Sequence, residues 1–119
     1  MQATLAAEWA RVLSTNLDAV FFLSQRLGDA MIRRGGGKII NVASLLSFSG
    51  GITVPAYTAS KHAVAGVTKA LANEWAKRNV QVNAIAPGYF ATDKRIADIC
   101  FRPVFSGRGD DARPFLEAA

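Results

Sequence analysis

A chain of 119 residues with 14 basic and 9 acidic side chains, a net charge of +5 and half its residues hydrophobic has the composition of one globular domain, which excludes a disordered chain. Folding would bury roughly 65% of the unfolded surface, enough for a single modest core. The lone Cys100 excludes an internal disulfide, no Cys/His cluster has zinc-ligand spacing and no apolar run approaches a membrane span, so the expectation is a cytoplasmic protein with no metal, export signal or membrane anchor.

From Leu5 onward the apolar residues Leu5, Trp9, Val12, Val20, Leu23, Leu27 and Ala30 recur at helical spacing, which predicts one long helix over Leu5 to Arg34. Arg33 and Arg34 suit its negative end, and Gly35-Gly36-Gly37 stop it. Lys38 to Ser44 is short, β-branched and apolar with little alternation, the pattern of a strand covered on both faces of a parallel sheet. A loop rich in Ser and Gly follows, from Leu45 to Pro55. Ala56 to Arg78 then runs without a breaker and predicts a second long helix, with Pro55 suited to its first turn. Val80 to Ala86 is the second predicted strand, ended by Pro87-Gly88. From Lys94 on, Gly and Pro punctuate the chain too often for a regular element. Basic residues are scattered from Arg11 to Arg113, with the pairs Arg33-Arg34 and Lys77-Arg78 at predicted helix ends, so no nucleic-acid partner is expected.

Helix, strand, helix, strand is the grammar of an α/β protein with a doubly wound parallel sheet, here a partial, Rossmann-like one. Two strands are half of such a domain. Ligands of these sheets sit beyond the carboxyl ends of the strands, at Ser44 and Pro87-Gly88.

Tyr57 and Lys61, spaced i, i+4, head a helix stripe that continues through Val64, Thr68, Leu71 and Trp75. An ammonium group close to a phenol favours the phenolate, so the pair suits proton transfer; the alternative is a tyrosine capping a core beside an outward-reaching lysine. Ser44 ends a buried strand on the ligand side, where its hydroxyl can hold a carbonyl oxygen or instead bond local backbone. Asn16 interrupts the apolar stripe between Val12 and Leu23, where an amide without partners costs about 1 to 3 kcal/mol. It serves something inside the protein, relieves a helix kink or fixes the register of a helix pair. His62 points away from Tyr57, toward the surface arc of Gly66, Lys69 and Asn73, and Cys100 lacks basic neighbours that would activate it.

Asn16, Ser44, Tyr57 and Lys61, with 28 residues from Asn16 to Ser44 and 13 from Ser44 to Tyr57, resemble the Asn-Ser-Tyr-Lys tetrad of the short-chain dehydrogenase/reductase family. The resemblance extends through Ile40-Asn41-Val42-Ala43-Ser44, Tyr57-Thr58-Ala59-Ser60-Lys61 and Val82-Asn83-Ala84-Ile85-Ala86-Pro87-Gly88 with Thr92, and covers about Leu5 to Asp93. It implies that Tyr57 is the acid/base, that Lys61 lowers the phenol's pKa and binds the nicotinamide ribose, and that Ser44 orients the substrate carbonyl. Asn16 would support a proton-relay water, while Pro87, Gly88 and Thr92 would border the nicotinamide. The segments Leu46 to Pro55 and Tyr89 to Asp93 are most similar to members acting on 2-deoxy-D-gluconate or related sugar acids.

The family's Gly-rich phosphate turn, its ribose-reading residue and its Asn-Asn-Ala-Gly segment have no counterpart here. Gly35-Gly36-Gly37 follows a helix, whereas a phosphate-cradling turn leaves a strand and opens a helix. The resemblance therefore implies residues 1–93 as the catalytic half of a domain and 94–119 as a divergent tail. The expected activity is interconversion of a secondary alcohol and a ketone with NAD or NADP on a small-molecule substrate, and the chain alone is expected to be inactive. Both long helices belong to the family's subunit interface, so a homo-oligomer is expected. The rival reading is a non-catalytic remnant that pairs through those helices.

Overall fold

The polar run Ser14-Thr15-Asn16 falls where the first helix would otherwise continue unbroken, and the helix widens there. In the computed structural model, which describes residues 5–88 together with 102 and 103, this stretch comprises α1 (Ala6–Leu13), a π-helical turn (Ser14–Asp18) and α2 (Ala19–Arg33). The Ala19 amide bonds the Ser14 carbonyl, five residues back. Single π turns of this kind accommodate one extra residue in a helix. The expected span was right, and its continuity was interrupted at the residue that had stood out.

The stop after α2 is a glycine cap. Gly36 donates to the Met31 carbonyl at 2.9 Å and Gly35 to Ile32 at 3.1 Å, with φ of 94° at Gly35 and 152° at Gly36, a backbone that other residues rarely adopt. β1 (Gly37–Val42) follows, then a short 3-10 turn (Leu45–Ser47), α3 (Pro55–Trp75), a second 3-10 turn (Ala76–Arg78) and β2 (Val80–Ala86). β1 and β2 pair in parallel, from Gly37 opposite Val80 to Val42 opposite Ile85. The predicted α/β class and parallel pairing hold. In the tail, where no regular element was expected, Arg102–Pro103 forms a two-residue β3 antiparallel to β2, opposite Ala86 and Ile85. Thr92, Cys100 and the rest of the tail lie outside the described residues.

The helices cover one face of the sheet. At one end Ile39, Leu71, Ala72, Trp75, Val80 and Val82 form a cluster joined by Phe21, Met31 and Ile32; at the other, Ala43, Val64, Ala84 and Ala86 are joined by Leu17 and Val20. Between them Asn41 Nδ2 donates to Thr68 Oγ1 at 3.0 Å, and that hydroxyl donates to the Val64 carbonyl at 2.8 Å, so the polar groups placed in this core are partnered.

Two expectations about burial are corrected. The apolar stripe of α2 is only in part its packing face: Val20 joins the core, but Leu23 and Leu27 are exposed, while Ser24 and Gly28 are buried. The physical reason is bulk, since a Cβ at Gly28 would collide with the Trp75 ring, so small residues let the helices approach. Among the described residues β1 is likewise covered on one face only. Ile39, Asn41 and Ala43 are buried, whereas Ile40 and Val42, pointing the other way, remain exposed. Among the described residues no element lies over that second face.

Candidate active site

Where β1 ends, Ser44 opens the 3-10 turn Leu45–Ser47 as its cap. Its hydroxyl oxygen accepts from the Leu46 amide at 3.2 Å, and Ser47 Oγ accepts from the Ser44 amide at 3.2 Å. Ser47 Oγ in turn donates to the Lys61 carbonyl at 2.7 Å, which ties the loop after β1 to the first turns of α3. Ser44 therefore has its oxygen engaged by backbone while its own O–H remains available to donate. Of the two readings of this serine, the bond to local backbone is the one observed.

Pro55 starts α3, and Tyr57 and Lys61 occupy its first two turns. Ser44, Tyr57 and Lys61, with Pro87 and Gly88 from the end of β2, line one cavity of about 300 Å³ at the carboxyl ends of both strands. Leu45 and Leu46 complete the wall on the loop side. The Lys61 ammonium lies 5.6 Å from the centre of the Tyr57 ring, and it donates a 2.7 Å hydrogen bond to the Val42 carbonyl at the end of β1. Tyr57 is 37% exposed, open to a molecule entering the cavity.

Asn16 is placed differently. It lies in the adjoining cleft between α2 and β1, which Lys61 also lines. Its Nδ2 donates to Ser60 Oγ at 3.2 Å, and Ser60 Oγ donates to the Tyr57 carbonyl at 2.7 Å. Asn16 thus reaches the Tyr57 turn through a serine, and the π turn that carries it is held against α3. Thr92 lies outside the described residues. His62 is exposed on α3, its Nδ1 3.0 Å from the Thr58 carbonyl, as its position on the helix implied.

Sequence reasoning missed Ser47, Ser60 and the Val42 carbonyl. Ser47 had a local signal, a hydroxyl three residues after a candidate cap. Ser60 had none beyond its place beside Lys61, because its bond to Asn16 spans 44 positions.

The cavity can hold a ring-sized group against a phenol, a hydroxyl and an ammonium, a donor set suited to moving a proton on and off an alcohol oxygen. A sequence model of the family described as short chain dehydrogenase matches residues 1–98. The chain is 67% identical over 84 residues to the 2-dehydro-3-deoxy-D-gluconate 5-dehydrogenase of Bacillus subtilis, covering 71% of this chain and 33% of that protein. It is 60% identical over 87 residues to the enzyme of the same name from Escherichia coli, covering 72% and 34%. Among solved structures, the gluconate 5-dehydrogenase of Burkholderia cenocepacia in complex with NADP and tartrate superposes with a TM-score of 0.73 at 41% identity, over 76% of this chain and 36% of that one. The chain spans about a third of the length of the curated relatives it matches.

Proposed function

The chain belongs to the short-chain dehydrogenase family, and from that premise we propose that residues 1–93 are the catalytic portion of an NAD- or NADP-dependent oxidoreductase that interconverts a secondary alcohol and a ketone, with 94–119 a divergent tail. The substrate class is a sugar acid, 2-deoxy-D-gluconate or a relative, in line with the names carried by the similar dehydrogenases. The observation that carries the reading is the common cavity of Ser44, Tyr57, Lys61, Pro87 and Gly88.

A nicotinamide ring fits this donor set at the carboxyl ends of the strands, and when bound it supplies the acceptor or donor of hydride. In the oxidation direction Tyr57 takes the hydroxyl proton of the substrate as the carbon loses hydride; in reduction it returns that proton to the new alkoxide. Ser44, which lines the same cavity as Tyr57, would donate its O–H to the substrate oxygen and hold it for the proton transfer. Lys61, whose ammonium lies 5.6 Å from the centre of the Tyr57 ring, would hold ribose hydroxyls of the cofactor. Pro87 and Gly88 form the wall for the nicotinamide, with Thr92 assigned to the same border by the family resemblance. Asn16, tied to the Tyr57 turn through Ser60, supports the proton-relay water.

The 119 residues span about a third of the relatives' length, so the expected outcome for this segment alone with 2-deoxy-D-gluconate and either cofactor is no formation of reduced nicotinamide. Substituting this segment for the matched third of the Bacillus subtilis enzyme should restore turnover. Tyr57→Phe in that chimera should lower it by about 10²-fold or more, the scale of losing an acid/base group. Steady turnover by the isolated chain, or full activity of the Tyr57→Phe chimera, would show the reading wrong.

We assign the protein to the cytoplasm, where its single cysteine would stay reduced. A homo-oligomer through the long helices is supported by Leu5, Trp9 and Phe22, large apolar side chains left exposed along α1 and α2.

A further inference from the structure

Ser44 is held within its turn by three hydrogen bonds, and two of them come from one residue. Ser47 donates its amide to the Ser44 carbonyl at 2.9 Å, and its Oγ accepts from the Ser44 amide at 3.2 Å; the third bond, from the Leu46 amide at 3.2 Å, engages the Ser44 hydroxyl oxygen. The Ser47 hydroxyl also reaches out of the turn, donating to the Lys61 carbonyl at 2.7 Å across 14 positions of sequence. That carbonyl belongs to α3, whose own ladder uses one of its lone pairs through the amide four residues on, so the hydroxyl takes the second. Ser47 is 4% exposed, which leaves little room for water to replace either bond.

The chemistry of this position is narrow. One oxygen must accept from an amide and donate to a carbonyl in a space closed to water. A hydroxyl does both, alanine and glycine do neither, and a carboxylate accepts without donating. Capping the 3-10 turn needs only the bond from the Ser44 amide; the bond to α3 serves no cap. It runs to the backbone of Lys61, whose side chain lines the cavity together with those of Ser44 and Tyr57.

We propose that Ser47 is a positioning residue: through its single hydroxyl it fixes the Ser44 hydroxyl relative to the turn of α3 that carries Tyr57 and Lys61. The clamp joins backbone to backbone, the Ser44 amide to the Lys61 carbonyl, so the spacing it sets does not depend on the rotamers of Tyr57 or Lys61. Without the hydroxyl the turn keeps the bonds from the Ser47 and Leu46 amides to Ser44 and loses the hydrogen bond that ties it to α3. A shift of about 1 Å in a group that holds the reacting oxygen costs up to about 10²-fold in rate. The effect on turnover rests on the proposed enzymatic reading; the clamp itself does not.

Two measurements test it. In the full 119-residue chain the Ser44 amide should exchange with solvent about tenfold faster in Ser47→Ala than in the parent, while the Ala43 amide, bonded to the Ile85 carbonyl at 2.8 Å, keeps its protection. In the chimera with the Bacillus subtilis enzyme, Ser47→Ala should lower kcat about tenfold and leave the KM for the cofactor within about twofold. The decisive comparison is with Ser44: in a Ser44→Ala background, Ser47→Ala should lower kcat by less than about twofold further, because no hydroxyl is left to place. A merely structural role gives the same loss in both backgrounds. If Ser47→Ala strips protection from Ala43 as well, Ser47→Cys, close in size and weaker as donor and acceptor, takes its place with the same outcomes required. Unchanged exchange at Ser44, unchanged kcat in an active chimera, or equal losses with and without the Ser44 hydroxyl overturns the proposal. An inactive chimera, or one indifferent to Tyr57→Phe, counts against the enzymatic reading, and the exchange of the Ser44 amide then decides the clamp alone.

Discussion

The two faces of the sheet are built from the same kinds of side chain and meet opposite fates. Under the helices Val80, Val82 and Ala86 are 0% exposed, whereas on the other face Ile40 and Val42 are 64% and 54% exposed. Apolar character therefore does not distinguish a core residue from an exposed one in this chain; the position of the helices does. α2 and α3 together close one layer, and the second layer has apolar residues without a cover among the described residues.

The largest effect should come from the covered face. Trp75→Ala removes the ring that packs against Gly28 and joins α3 to the Ile39 and Val82 cluster, and should cost about 3 to 5 kcal/mol in urea denaturation. A smaller loss should follow Thr68→Val, which keeps the shape but strips Asn41 Nδ2 of its acceptor; a buried donor without a partner costs about 1 to 3 kcal/mol. If Thr68→Val proved neutral, the polar pair would not be part of what holds the covered face. The smallest effect belongs to the bare face, where Ile40→Thr combined with Val42→Thr should change stability by no more than about 0.5 kcal/mol. The same double variant should sediment with less self-association than the parent. A loss of several kcal/mol there would break the comparison, because it would mean that the second face is covered as thoroughly as the first.

Much of the covered layer was legible in the sequence. The 3.6-residue period and the glycine run gave the helices and their stop, β-branched runs gave both strands, and the stripe Val64, Thr68, Leu71 and Trp75 is buried as its spacing required. The errors share a cause. A helical period reveals which side of α2 is apolar, yet the pairing of two helices was decided by the small residues Ser24 and Gly28, whose meaning depends on Trp75, 47 positions after Gly28. The composition of β1 reports an environment with two covers, and among the described residues only the first is present. In the candidate site, Ser44, Tyr57 and Lys61 were readable as residue types at telling positions. The bond from Lys61 to Val42 was not, because its acceptor is a backbone carbonyl, which every residue possesses and no sequence pattern marks.

The π turn at Ser14–Asp18 also sets the angular phase of everything before it. Each residue of an α-helix advances the screw by about 100°, so a turn carrying one extra residue offsets α1 from α2 by that angle. Loss of a single codon within the turn, Thr15 for instance, would restore an even winding without shifting the reading frame. It would rotate Trp9 and Val12 about the shaft relative to α2 and turn the Asn16 amide away from Ser60. Over these few positions the protein is more sensitive to the number of residues than to their identity, and alleles with one residue deleted there should be depleted far more strongly than alleles with conservative replacements.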